Sequence, residues 1–442
     1  DETDSLAIIC PGIVMIKNFN IGSGSSSLQL TAIGTTLYFQ ASDGTNGAEL
    51  WKSDGTSSGT VMVKDINSGS GYSSPSFLTA VGNTLYFTAS DGTNGAELWK
   101  SDGTSSGTVM VKDINSGSSG SHPDQLTAVG NTLYFRATDG TNGTELWKSD
   151  GTASGTVMVK DIYNGSASSI SYFSYLTVFG NTLYFRAEDG TNGYELWKSD
   201  GTASGTVMVK DINSGSGSSS PYYLTAVGNT LYFVANDGTN GAELWKSDGT
   251  ASGTVMVKDI NSGSGQSFPS SLTAIGTTLY FVANDGTNGY ELWKSDGTAS
   301  GTVMVKDIRS GSGHSSPTYL TAVGNTLYFA AYDGTNGDEL WKSDGTSIGT
   351  VMVKDINSGS GHSSPSYLTA VGNTLYFQAS DGTNGDELWK SDGTASGTVM
   401  VKDISRGSGS SSLDQFTAVG NTLYFRADDG TNGAELWKNS LF

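Results

Sequence analysis

Apolar residues in this chain come in short bursts that alternate with polar ones and are cut by Gly, Asp, Asn and Ser. Across residues 78–114 the bursts read LTAVG (78–82), TLYFTAS (84–90), AELWKS (96–101) and TVMVKDI (108–114), with Asn83, DGTNG (91–95) and DGTSSG (102–107) between them. Period-two alternation rich in Thr, Val, Leu, Tyr, Phe and Trp, bounded by turn formers, predicts four strands. Nowhere does a 3.6-residue apolar period run long enough for a helix. Gly82-Asn83 and Asn94-Gly95 supply residues that tolerate positive φ, as tight hairpins require. In TLYF, Leu85 and Phe87 face one way and Tyr86 the other, and in ELWK, Leu98 and Trp99 face opposite ways. Both faces of each small sheet are therefore apolar and need covering, which stacked four-stranded blades around an axis provide.

The pattern repeats. Tryptophan marks the period at Trp51, Trp99, Trp147, Trp197, Trp245, Trp293, Trp341, Trp389 and Trp437, in steps of 48 residues with one of 50. All 18 lysines fall at two positions of the unit, those of Lys52 and Lys64, and all nine methionines fall at one, that of Met62. Four strands per unit of about 48 residues predict a single all-β domain over residues 1–442, a nine-bladed β-propeller of four-stranded antiparallel blades. Nine exceeds the usual four to eight blades. The ends close the ring: GIVMIKNF (12–19) stands where GTVMVKDI stands elsewhere, and 416–438 supplies three strands. A ninth blade of 413–440 plus 11–19 thus forms a 3+1 strand velcro that hides edge strands.

The segments ELWKSDGT at 49–56, 97–104, 145–152, 195–202, 243–250, 291–298, 339–346 and 387–394 resemble the ELWxxDGT repeat family of exported bacterial proteins, and ELWKNSLF (435–442) departs from it after Lys438. The resemblance covers essentially the whole chain. It implies a propeller and an extracellular or cell-surface setting, and carries no assigned catalytic residue.

Composition narrows the partners. The 23 basic and 43 acidic residues give a net charge of −20 and a pI near 4.3. Such a surface repels nucleic acid and anionic lipid. No apolar run approaches the roughly 20 residues of a membrane helix. The LAIIC run (6–10) has acidic rather than basic flanks and does not read as a signal peptide. A first residue of Asp rather than Met points to a processed or trimmed chain. The single cysteine, Cys10, gives no disulfide framework. A soluble monomer is expected.

Candidate chemistry divides into residues that repeat and residues that do not. The DGTNG loops offer calcium one carboxylate each, as Asp43, Asp91 and Asp139 in the first three, where strong calcium loops alternate several. The competing reading, which the ligand count favours, is a hairpin corner capped by Asp. Glu49, Lys52, Lys64 and Asp65 recur in nearly every unit and read as packing and ion pairing, since nine equal copies mean nine equal sites or none. The non-repeating residues gather in the loop before the first strand, at the end of the second strand and at the start of the third, which an up-down blade places on one rim. Candidate ligand-binding residues there are His122, Tyr175, Tyr194, Tyr223, Tyr290, His314 and His362, weighed against drift at exposed loop positions. No metal or catalytic spacing joins the histidines.

The expected function is therefore a non-catalytic exported propeller, a binding or adhesion scaffold with a protein or glycan ligand at one rim and no cofactor. A second reading is a multivalent lectin. A third, an enzyme on a propeller scaffold, rests on fold analogy alone.

Overall fold

The computed structural model describes residues 12–19, 29–172 and 174–440. Cys10, the LAIIC run, Pro11, Phe173 and the last two residues lie outside them. The described residues form nine four-stranded antiparallel sheets, each built from strands consecutive in sequence except the ninth. Blade 2 is representative, with strands Ser76–Val81, Thr84–Ser90, Ala96–Ser101 and Val109–Lys112. We number blades in chain order, so that blade 1 spans 31–64, blade 3 spans 124–160, blade 7 spans 318–354 and blade 8 spans 366–402. First strands of successive blades lie against one another all the way round, blade 9 against blade 1 included, so they line the axis.

The alternation read from sequence is what packs the blades. Tyr38, Leu50, Val63 and Ile66 of blade 1 meet Leu78, Leu85, Phe87, Ala89 and Trp99 of blade 2. On the other side, Tyr86 and Leu98 of blade 2 join Leu133, Phe135 and Trp147 of blade 3. Phe87 and Leu98 have no exposed surface, each worth about 1.5–3 kcal/mol of apolar burial.

The repeated lysines contribute differently from the ion pairing expected. Lys64 Nζ donates to the Thr108 carbonyl at 2.8 Å and sits 5.8 Å from the centre of the Trp99 ring. Lys52 Nζ donates to the Gly103 carbonyl at 2.9 Å. Both lysines thus tie blade 1 to blade 2 through a backbone oxygen. The ion pairs among the described residues are instead Arg136–Asp124, His362–Asp338 and Arg426–Asp414, all at non-repeating positions.

Ring closure reuses the same contacts. Val14–Lys17 pairs antiparallel with the last strand of blade 9, Ala434–Ser440. Lys17 Nζ donates to the Thr60 carbonyl at 2.8 Å, and Lys402 Nζ donates to that of Ile13 at 3.2 Å. The N-terminal strand therefore does for blade 9 what the fourth strand does in every other blade.

Two boundaries differ from the sequence reading. The fourth strand of blade 2 ends at Lys112, because the amide of Ile114 turns away to the Glu97 carboxylate at 3.0 Å. The first strand starts two residues earlier, at Ser76, with a bulge between Ser76 and Thr79. In that bulge Phe77 takes a φ of 55°, and Gln125, Tyr223, Ser271, Tyr319, Tyr367 and Gln415 take between 53° and 57° at the equivalent place. Left-handed backbone at non-glycine residues is sparsely populated and persists only where its surroundings impose it.

Candidate ligand clefts between blades

The loops joining second to third strands and fourth to first strands emerge on one side of the ring. A Cβ built on Gly47 of the former would collide with Gly71 of the latter, and the Ser73 amide donates to the Ala48 carbonyl at 3.1 Å. This face holds the non-repeating residues and is called the variable face below. The opposite, constant face carries the tight turns and the SDGT loops.

On the variable face the repeating acids are committed to backbone. Asp43 Oδ1 accepts from the amides of Thr45 and Asn46 at 2.9 and 2.8 Å, and Oδ2 accepts from Asn46 Nδ2 at 2.7 Å. Burial pushes the Asp43 carboxyl up, but those hydrogen bonds outweigh it and hold it below its usual value. Asp91 and Asp139 repeat the arrangement. Among the described residues no three His, Cys, Asp or Glu gather as a metal site would require.

The glutamate of ELWK is a buried tie. Glu243 accepts from the amides of Ile260 and Ser267, each at 3.0 Å, and from the Ser267 hydroxyl, which fixes the loop into the next blade. It has no exposed surface. Burial raises its pKa against these hydrogen bonds, and pushes Glu145 and Glu387 up to about 7.

Between blades the variable face opens into clefts. One, of about 380 Å³, lies between blades 2 and 3 and is lined by Phe77, Thr88, Ala96, His122, Asp124 and Tyr172, among others. Another, of about 410 Å³, lies between blades 7 and 8, where Tyr319, Ala330, Asp338, Ser364, Ser366 and Gln378 stand at equivalent positions or beside them, with Asp386 at the rim. The two share little beyond a serine (Ser74, Ser316) and a proline (Pro123, Pro365). In the first, Arg136 Nε donates to Asp124 Oδ1 at 2.7 Å and its guanidinium lies 5.5 Å from the Tyr172 ring centre, so that acid is neutralised. In the second, Gln378 stands at the position of Arg136 and lines the cavity.

The sequence candidates are dispersed over this face rather than gathered. His122 lines the cleft between blades 2 and 3. Tyr290 and His314 pair, with the Tyr290 amide donating to His314 Nδ1 at 2.9 Å and ring centres 5.3 Å apart. His362 Nδ1 lies 2.8 Å from Asp338 Oδ2. Tyr194 is covered by the Arg186 guanidinium at 4.4 Å, and burial followed by a hydrogen bond to Glu188 pushes its hydroxyl up to about 12. Tyr175 and Tyr223 hold the innermost position and are about half exposed. Tyr319, Gln378 and Phe77 escaped sequence reasoning. The signal available was their column: Gln378 occupies the position of Arg136 and Arg186, and Tyr319 that of Tyr223.

No protein-family description matches the sequence, and no curated protein does. Solved structures match the fold. A prolyl endopeptidase is 11% identical with a TM-score of 0.43, covering 84% of this chain and 55% of its own. A puromycin hydrolase is 12% identical with a TM-score of 0.38, covering 80% and 58%. The GH74 enzyme of Niastella koreensis is 12% identical with a TM-score of 0.38, covering 96% and 73%. The chain thus spans little more than half the length of the two peptidase-type chains. These matches correct the expectation of a non-catalytic adhesion scaffold: propellers of this general form occur inside hydrolases, so the architecture does not set catalysis aside. At such identities the likeness shows the propeller fold alone, and it assigns this chain no activity. Among the described residues no helix is long and apolar enough to cross a membrane.

Proposed function

We propose that the chain is a recognition propeller that takes small, polar, ring-bearing molecules into the inter-blade clefts of its variable face. One observation carries this reading: two clefts of nearly equal size, at the same place in the repeat, are lined by different side chains while the scaffold around them is held constant. Cavities of a few hundred Å³ with aromatic walls and a few polar groups have the dimensions of small-molecule sites rather than of flat adhesive surfaces. Such a role suits part of a catalytic protein as much as a free-standing binder. The eight ELWKSDGT segments support placing the chain with the ELWxxDGT repeat proteins and outside the cell. Crystals soaked in mixtures of monosaccharides and small aromatic compounds test the reading. Density in variable-face clefts is expected, and density confined to the constant face, or none anywhere, would overturn it.

A further inference from the structure

The cleft between blades 7 and 8 differs from its counterpart in one chemical respect: two carboxylates and a side-chain amide line it, and no basic side chain does. Asp338 opens the third strand of blade 7 and Asp386 that of blade 8, and both line the cavity. The Asp338 side chain is 44% exposed. Gln378, from the second strand of blade 8, lines the same cavity, and its Oε1 is buried with no hydrogen-bond partner among the described residues. A buried acceptor left unpaired is costly and is satisfied when a donor arrives. Tyr319, held outward by its φ of 55°, supplies an aromatic face and is 46% exposed. The serines at 364 and 366 line the same cavity and can donate or accept.

The equivalent positions between blades 2 and 3 carry Ala96, Thr144 and Arg136, and the acid there, Asp124, is paired with a permanently charged arginine, whereas Asp338 faces His362 and Asp386 Oδ2 accepts from the Ser410 hydroxyl at 3.4 Å. Only blades 7 and 8 open their third strands with aspartate, so this pair of carboxylates is not a consequence of the repeat. A ligand that fits two carboxylates, an amide oxygen and a tyrosine ring must donate several hydrogen bonds, carry positive charge and present a face or edge to the ring. The chain's net charge of −20 draws such a ligand in.

We propose that the cleft between blades 7 and 8 binds a small cation of the primary-ammonium class, with its N–H groups shared among Asp338, Asp386 and Gln378 Oε1 and its body against Tyr319. Cation–π contact with tyrosine and charge-assisted hydrogen bonds to carboxylates are the two forces that recognise such a group. His362, 2.8 Å from Asp338 Oδ2, competes with the ligand for that carboxylate. The proposal rests on the cleft reading above and narrows it to a ligand class at one site.

The test is calorimetric titration of the full chain with benzylamine and with benzyl alcohol, which have nearly the same shape and differ in charge. Benzylamine should bind at least about tenfold more tightly than the alcohol, and the Asp338→Asn, Asp386→Asn double variant should lose that advantage. Raising the salt to about 0.5 M should weaken the amine and leave the alcohol unchanged. Both substitutions keep the side-chain shape at partly exposed sites, so an unchanged melting temperature shows that lost binding is not lost folding. Equal affinity for the two compounds, no benzylamine binding, or full binding by the double variant would each overturn the proposal. If soaked crystals nonetheless show neutral compounds in variable-face clefts, the recognition reading stands and only the ammonium assignment falls.

Discussion

The two faces of the ring carry clefts of similar size built on opposite principles. On the constant face the spaces between blades 1 and 2 and between blades 8 and 9 measure about 490 and 480 Å³ and are lined by repeated residues, Tyr38, Lys52 and Asp54 in one, Tyr376, Lys390 and Asp392 in the other. In the first of these the side chains are occupied structurally: Lys52 holds the Gly103 carbonyl, and Asp54 Oδ1 takes the Thr56 amide and hydroxyl at 2.8 and 2.7 Å. On the variable face the equivalent spaces are smaller, and their linings change from blade to blade. Residues that hold the ring together must be the same nine times because the interface is the same nine times. Residues free of that duty can differ, and a difference at a concave site changes what the site accepts.

Substitutions that break the constant framework should therefore cost far more stability than substitutions in the variable clefts. The largest effect is expected for Glu243→Ala, which strands the amides of Ile260 and Ser267 in a buried loop. A loss of about 3 kcal/mol or more follows from leaving two buried donors unpaired, read as a shift in the denaturant midpoint. Next comes Gly103→Ala. Gly103 has a φ of +87°, and a Cβ there would stand 2.4 Å from the Tyr38 hydroxyl, so about 2 kcal/mol should be lost through strain and displacement of that ring. A drop below about 0.5 kcal/mol for either would show that the repeated positions are not what closes the ring.

Stability should also depend on pH through the buried glutamates. The folded chain holds the protons of Glu145 and Glu387 more tightly than the unfolded chain, with pKa values pushed by burial to about 7 against an ordinary 4.5. Their stabilising contribution is complete below the unfolded value and is lost as pH rises through about 7. The corner aspartates act in the opposite sense: hydrogen bonds hold Asp43 and its equivalents low, so their contribution is present above the ordinary 3.8 and is lost as pH falls through the folded value. Stability should thus peak near pH 4–5 and fall toward pH 7.5, by up to about 1.4 kcal/mol per pH unit for each group between its unfolded and folded values, read as a falling melting temperature. Glu145→Gln should flatten part of that decline, which separates this effect from relief of the net charge. A melting temperature that rises between pH 5 and 7.5 would contradict it.

The smallest stability effect is expected where the functional effect is largest. Asp338→Asn with Asp386→Asn should change folding stability by less than about 0.5 kcal/mol, because both carboxylates sit at partly exposed positions outside the packed interfaces. A larger loss would place them in the framework rather than in a site.

Much of the fold was legible because each blade solves the same packing problem in the same letters. The opposed directions of Leu85 and Tyr86, and of Leu98 and Trp99, are the two blade interfaces. The N-terminal VMIK run completes the last blade because it carries the lysine that every fourth strand carries. The bulge of the innermost strand was not legible. Nothing in Phe77 or Tyr319 announces a left-handed backbone, since no glycine or asparagine marks the place, and the neighbouring blades impose the conformation. Nor could the partner of Glu243 be read, because Ser267 lies 24 residues further on and is brought back only when the next blade docks. Of the candidate site, the column of variation was visible, while which columns share one cavity depended on the three-dimensional pairing of adjacent blades. His314 and His362 looked alike in sequence and each packs against a tyrosine, yet only His362 also faces an aspartate.

The central claim is that ligand recognition belongs to the variable face and, for an ammonium compound, to one cleft of it. Crystals soaked with 4-bromobenzylamine test this most directly, because the anomalous signal of bromine locates the ligand blade by blade. A single strong peak beside Tyr319, between Asp338 and Asp386, is the predicted result. Equal peaks repeated around the constant face, beside Tyr38 and its equivalents, would contradict it.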